Sequence, residues 1–267
     1  MNRTTAPASP YNVGEEGEAL LGSIDLIRSW YQKAVDGEAH ATIRFGDASN
    51  TILAHDAVLT MDFIKSHYGW VNDPTYCGIT LPHANARETL VHCLRQADYV
   101  GYLTQTEHWY FKPLFDMCLA YYKVEPLETF YAFENNYIAR YPLFYELFRT
   151  IPVLICGAKA DVYREVLERR YGWEHIVGTV DCASWAQVDT ATVEMEKLYQ
   201  QSPWKLALVC AGAPGKVLTV KAKDLNTVGV DFGSGADVAI QADKENLDAW
   251  EYDGFPDYWE GRPQKRP

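Results

Sequence analysis

The sequence predicts an α/β protein, a Rossmann-like, doubly wound and mainly parallel sheet flanked by helices. Three observations carry that expectation. Short continuous apolar runs, LALVC at 206–210 and PVLIC at 152–156, have the length and composition of strands buried on both faces. Each runs into a glycine-bearing turn and then an amphipathic stretch. Strand and helix patterns alternate from residue 151 to 232, the order a parallel sheet requires, because each crossover is a helix.

Taken in order, residues 1–17 are polar and carry Pro and Gly, which reads as a flexible arm. An amphipathic helix follows, with Leu20, Leu21, Ile24, Ile27, Trp30, Tyr31 and Ala34 at three- and four-residue steps and Gly37 as its stop. Residues 41–45 read as a short buried strand and 51–67 as one further helix. The stretch from Pro82 and His83 to Gln96 reads as a helix, and 97–102 as a strand leaving it. The aromatic stretch 109–123 reads as helix packing or as a cleft rim that stacks on a sugar face. Asn135 and Asn136 either open a helix or contact a ligand, and Leu143, Phe144, Leu147 and Phe148 form the apolar face of the next helix. After the strand at 152–156 come a helix at 161–171, a strand at 177–180 and a helix at 188–201. The main domain therefore spans 18–242, and 243–267 forms an acidic, aromatic tail whose rings pack back on the domain.

Composition narrows the function. With 267 residues, 48% hydrophobic and 22% charged, the chain can bury a full α/β core. A formal charge of −12 argues against nucleic acid as a partner, since a phosphate backbone would be repelled. No apolar run approaches the ~18 residues of a membrane span, and the first residues lack the build of a signal peptide. The six cysteines are scattered without a Cys-x-x-Cys pair. Reduced thiols, a cytoplasmic location and no zinc site are the expectation.

Two stretches carry chemistry. At 205–234 a strand, the turn Ala211-Gly212-Ala213-Pro214-Gly215, a helix starting with Lys216 and a strand at 227–232 carrying Asp231 at its carboxyl end form a βαβ unit. Such a turn can cradle a phosphate, and an acid at the end of the second strand can reach a ribose hydroxyl. The alternative is a tight turn in an α/β core, for the glycines do not make the full dinucleotide fingerprint. At 44–47, a strand carrying Arg44 runs into Gly46 and Asp47. A carboxylate there suits a divalent cation on a diphosphate, with Arg44 orienting it or meeting a phosphate. The alternative is a structural ion pair, with Asp47 capping the next helix. Parallel sheets bind ligands at the carboxyl ends of their strands, which would gather Asp47, Gly157, Lys159, Gly212, Lys216 and Asp231 around one crevice.

Read together, IRFGD at 43–47 and LALVCAGAPGKVL…VGVDFGSGAD at 206–237 resemble the GT-D glycosyltransferases and their GT-D-like relatives. The resemblance implies a Rossmann-like fold that binds a nucleotide sugar, most often a UDP-sugar, and transfers the sugar to an acceptor hydroxyl on a protein glycan or polysaccharide. It implies Asp47 as the acid that holds Mn2+ or Mg2+. Arg44 and Asp231 would be the other catalytic side chains, and Gly46, Ser49, Gly157, Gly212, Ala213, Lys216, Gly233 and Ser234 the donor contacts. Two positions depart from the family pattern: Ser49 stands where a Glu is usual, and Ser234 where a His is usual. Asn50, Asp56 or Asp98 could then supply a ligand. The departures also raise the alternative of a degenerate binding or scaffold protein, and the glycine turn that of another nucleotide-dependent enzyme.

Overall fold

The computed structural model describes residues 20–73, 77–104 and 111–254. Its strands are β1 (His40–Phe45), β2 (Tyr99–Tyr102), β3 (Glu128–Tyr131), β4 (Val153–Cys156), β5 (Ile176–Val180), β6 (Leu206–Val209) and β7 (Val228–Asp231). The helices are α1 (Ser23–Asp36), α2 (Asp47–Ala54), α3 (Met61–His67), α4 (Ala84–Gln96), α5 (Phe111–Tyr122), α6 (Glu134–Ile138), α7 (Pro142–Phe148), α8 (Ala160–Tyr171), α9 (Val188–Gln201), α10 (Gly215–Asp224) and α11 (Gly235–Lys244).

The strands form one sheet in the order β3-β2-β1-β7-β6-β4-β5. Every pairing is parallel. The first three strands run outward from β1 on one side and the last four occupy the other. The winding therefore reverses at the β1–β7 seam, where the carboxyl ends of a doubly wound sheet open a crevice. Successive side chains along a strand point to opposite faces, and the core divides accordingly. Val153, Ile155, Leu206 and Leu208 pack with α1, α7, α8 and α11, while Leu154, Cys156, Ala207 and Val209 pack with α9 and α10. On that second face, β1 and β2 meet α2, α4 and α5 through Ile43, Phe45, Leu90 and Phe115. β4, β6 and β7 are buried along their whole length, which is why β4 and β6 read as unbroken apolar runs.

Three elements differ from expectation. The single helix expected over 51–67 is two, because Asp56 adopts a left-handed backbone (φ 52) just beyond α2 and Thr60 caps α3 by accepting from the Phe63 N–H at 3.3 Å. The apolar pattern before α1 is not helical at its start: Leu21 bridges to Phe130 beside β3. β3 itself carries no long apolar run and opens on exposed Glu128. It is the edge strand of the sheet, with only the Leu21 bridge beyond it, so sequence pattern does not single it out.

The two expected flanking segments lie mostly outside the described residues: all of 1–17, and Phe255, Tyr258 and Trp259 of the tail. What is described of the tail is packed. Tyr252 is buried and Trp250 lies against the same cluster. Arg140 holds this segment by donating to the carbonyls of Tyr252 (2.9 Å) and Gly254 (2.6 Å). Trp109 and Tyr110 also lie outside the described residues. All six cysteines are free thiols, and among the described residues no helix is long and apolar enough to cross a membrane.

Candidate active site

The centre of the candidate site is Asp231, the last residue of β7. Its side chain is 1% exposed and meets two cations, Arg44 from β1 and Lys216 from the first turn of α10. Arg44 Nη2 lies 3.2 Å from Asp231 Oδ1 and Lys216 Nζ lies 3.0 Å from Oδ2. The Arg44 backbone N–H also donates to Oδ2 at 3.3 Å. Burial pushes the Asp231 carboxyl upward, but Lys216 and then Arg44 outweigh it and hold the pKa below its usual value. Asp231 is therefore an ionised group inside the protein, with both oxygens engaged.

The cations are held from other sides as well. Arg44 donates Nε to the Asp231 carbonyl (2.7 Å) and Nη1 to the Ala132 carbonyl and to Asn135 Oδ1 (both 2.8 Å). The β7–α11 turn closes over it. Gly233 has φ +46, and a Cβ there would stand 1.8 Å from Arg44 Nη2, so only glycine allows this guanidinium. Asn135 also donates Nδ2 to the Phe232 carbonyl (2.7 Å) and to Ser234 Oγ (3.1 Å). Ser234 in turn donates to Asn136 Oδ1 at 2.8 Å. Asn135 and Asn136 thus do open a helix, α6, and at the same time fasten the turn beside Asp231.

Lys216 Nζ donates to the Gly212 carbonyl at 3.2 Å. In that turn the N–H groups of Gly215 and Lys216 return to the carbonyls of Gly212 and Ala213. The N–H groups of Ala211, Gly212 and Ala213 reach no backbone acceptor among the described residues. The free amides of this turn thus precede the helix rather than open it. Asp47 is the first residue of α2, half-buried, with Oδ1 accepting the Ala48 N–H at 2.7 Å. Gly46, its N-cap, has open space where a Cβ would stand. Cys77 lies against the turn before α10: its carbonyl faces Gly212, and burial pushes its thiol up to about 12, with smaller effects from the charges of Asp47, Lys216 and Asp73. No cysteine pattern pointed to this position.

The structure thus brings Arg44, Gly46, Asp47, Gly212, Ala213, Lys216, Asp231, Gly233 and Ser234 to the carboxyl ends of β1, β6 and β7. Gly157 lies one strand further out, against the Cys210 carbonyl. Lys159 is exposed and paired with Asp237 of α11 at 2.6 Å. Ser49 is 5% exposed within α2.

The alternative ligands are not gathered here. Asp98 lies at the opposite end of the sheet, accepting from the Ala41 N–H and from Lys223, both at 2.8 Å. Asp56 lies past the far end of α2. Asn50 is fully buried, and its Nδ2 donates to the Phe111 carbonyl at 3.3 Å. Among the described residues no three His, Cys, Asp or Glu side chains could jointly hold a metal. Asp47 would offer an ion one carboxylate and Ser49 only a neutral hydroxyl, a donor set that does not fit a resident Mn2+ or Mg2+.

Fold and site together define a doubly wound α/β protein with a buried ion cluster at its topological switch point. The profile of the GT-D fold-like domain matches residues 21–239, and the chain belongs to this GT-D-like family. Among solved structures it is similar to one described as the selenomethionine-substituted structure of domain of unknown function 1792, at 14% identity and a TM-score of 0.51. That match covers 83% of this chain and 81% of the other. It is similar to a second, whose description states that this domain has a distinct glycosyltransferase fold, at 13% identity, with the same TM-score and coverage. A third, described as a new glycosyltransferase from Streptococcus sanguinis, aligns at 12% identity and a TM-score of 0.49, covering 83% of this chain and 84% of that one. No curated protein matches the chain significantly.

Proposed function

We propose that this protein is a glycosyltransferase whose donor is a nucleotide sugar, with UDP-sugars the first class to test, and whose acceptor is a hydroxyl of a protein glycan or polysaccharide. The observation that carries the reading is the Arg44–Asp231–Lys216 cluster, two desolvated cations around one carboxylate at the seam of a glycosyltransferase-type sheet. In the transfer, the bond between the anomeric carbon and the diphosphate oxygen breaks and its electron pair leaves with the nucleoside diphosphate. The acceptor oxygen forms the new bond and its proton passes to solvent. Such a step needs fixed positive charge where the leaving group's charge develops more than it needs a nucleophile.

In this reading Arg44 and Lys216 face the diphosphate, the free amides at Ala211, Gly212 and Ala213 add donors, and Asp47 at the mouth orients the donor. Asp231, with both oxygens engaged, is a positioning residue that sets the two cations rather than a direct contact to ribose. Gly46, Gly233 and Ser234 shape the rim, with Gly157 outside it.

A second reading, a catalytically degenerate binding protein, is favoured by Ser49 and Ser234. Calorimetric titration of a sugar-nucleotide panel, each member tested with manganese and with EDTA, separates the two when followed by a turnover assay. Binding of a panel member, followed by release of nucleoside diphosphate when a glycan acceptor is added, supports the transferase, and binding without release supports the degenerate protein. No binding under either condition overturns the donor reading and leaves the scaffold.

A further inference from the structure

We infer that this chain holds its donor's diphosphate without a divalent cation, with Lys216 and Arg44 carrying the positive charge. The inference rests on the nucleotide-sugar reading and deepens it. Four observations lead to it.

The ligands for an ion are few. Among the described residues Asp47 is the one carboxylate at the carboxyl end of β1, and the residue two positions on is Ser49, neutral and 5% exposed. Asp231 cannot join it, because three donors already engage its two oxygens: Arg44 Nη2, Lys216 Nζ and the Arg44 N–H. A single carboxylate binds a hard divalent ion weakly, since such ions ask for several oxygen ligands.

The charge is already supplied. Arg44 and Lys216 contribute two positive charges against the two negative charges of Asp231 and Asp47. A divalent ion between two acids reaches the same balance. Here both cations are covalently fixed, with side chains 12% and 5% exposed, so their field is little screened by water.

Lys216 has capacity left. Its ammonium has three N–H donors, and two of them go to Asp231 Oδ2 and the Gly212 carbonyl. The third is available to a phosphate oxygen. Asp47 follows β1 and Lys216 follows β6, so both stand on the carboxyl edge of the same sheet.

The cations are also rigidly placed. Arg44 is fixed by the Ala132 carbonyl, Asn135 and Asp231, under a turn where Gly233 leaves room for nothing larger. Preorganisation of this kind lets a charge act without reorganising when the leaving group departs.

The test is calorimetric binding of UDP and a UDP-sugar in EDTA and in manganese, with wild type, Lys216→Met, Lys216→Arg and Ser49→Glu, folding being monitored by circular dichroism. The expected results are wild-type affinities equal within about twofold in the two buffers and a loss of at least tenfold in Lys216→Met, with Lys216→Arg retaining EDTA-insensitive binding. Ser49→Glu should weaken binding in EDTA and recover it in manganese. Wild-type binding that requires manganese, or tightens at least tenfold with it, overturns the inference while leaving the transferase reading standing. A folded Lys216→Met that binds UDP like wild type also overturns it. Absence of binding in both buffers instead removes the nucleotide-sugar reading beneath it. The EDTA comparison uses unaltered protein, so it decides the matter even where Lys216→Met does not fold.

Discussion

Replacing Asp231 with Asn would test whether the buried cluster is a stability element. The substitution keeps the shape and removes one charge. Arg44 and Lys216 would remain 12% and 5% exposed without their shared counter-ion. Of the carboxylate's three incoming donors, an amide oxygen can still accept at one position, while its NH2 must face a guanidinium or an ammonium. Breaking a buried ion pair by removing one partner costs about 3–5 kcal/mol. At roughly 2–4 °C per kcal/mol for a domain of this size, that corresponds to a Tm lowered by about 6–20 °C. Urea unfolding followed by tryptophan fluorescence measures it, the eight Trp residues giving ample signal. The acid limb gives a second readout. Because the folded pKa of Asp231 is lowered from 3.8, its contribution is present above the unfolded value and lost as pH falls through the lower folded one. Asp231→Asn should lack that part of the acid dependence. Adding Lys216→Met to Asp231→Asn should recover part of the loss, since it removes one stranded charge. A loss below about 1 kcal/mol at neutral pH would refute the claim that the carboxylate neutralises two desolvated cations.

Two further outcomes follow from buried groups elsewhere. His40, at the amino end of β1, has a pKa lowered to about 4 from 6.5, chiefly by burial, with Asp98 opposing. The unfolded chain therefore takes up the proton first, and stability should fall as pH drops from 6.5 to 4, by about 3 kcal/mol from this group; His40→Gln should flatten that limb in pH-dependent denaturation, and an unchanged slope would contradict it. Gly157 has φ +137, and a Cβ would stand 2.3 Å from the Cys210 carbonyl. Gly157→Ala should cost at least ~2 kcal/mol by denaturant titration, whereas a neutral outcome would mean that the β4 and β6 ends are not held this close.

Much of the architecture is a property of the sequence itself. β4 and β6 are covered on both faces, so their positions are apolar throughout, and runs such as LALVC announce them. The alternation of strand and helix makes the sheet parallel, and a residue just past a strand, such as Asp47 or Gly212, must then lie on the carboxyl edge of the sheet. Local pattern was silent where burial is partial or backbone conformation decides. Edge strand β3 is four residues long and begins on an exposed acid. The break between α2 and α3 depends on a left-handed Asp56, which hydrophobic periodicity does not encode.

The candidate site divides the same way. Arg44, Asp47, Lys216 and Asp231 could each be picked out from their places at strand ends. Only the tertiary structure decided that Arg44 turns toward Asp231, 187 positions away in the chain, rather than toward Asp47, three positions away. Strand order is the reason: β1 and β7 are neighbours in the sheet, and burial leaves Asp231 no water to satisfy it, so both nearby cations converge on it. The fold likewise recruits Asn135 from a helix that follows the edge strand and places the Cys77 carbonyl against Gly212. Those partnerships are set by three-dimensional neighbours, which one-dimensional spacing does not contain.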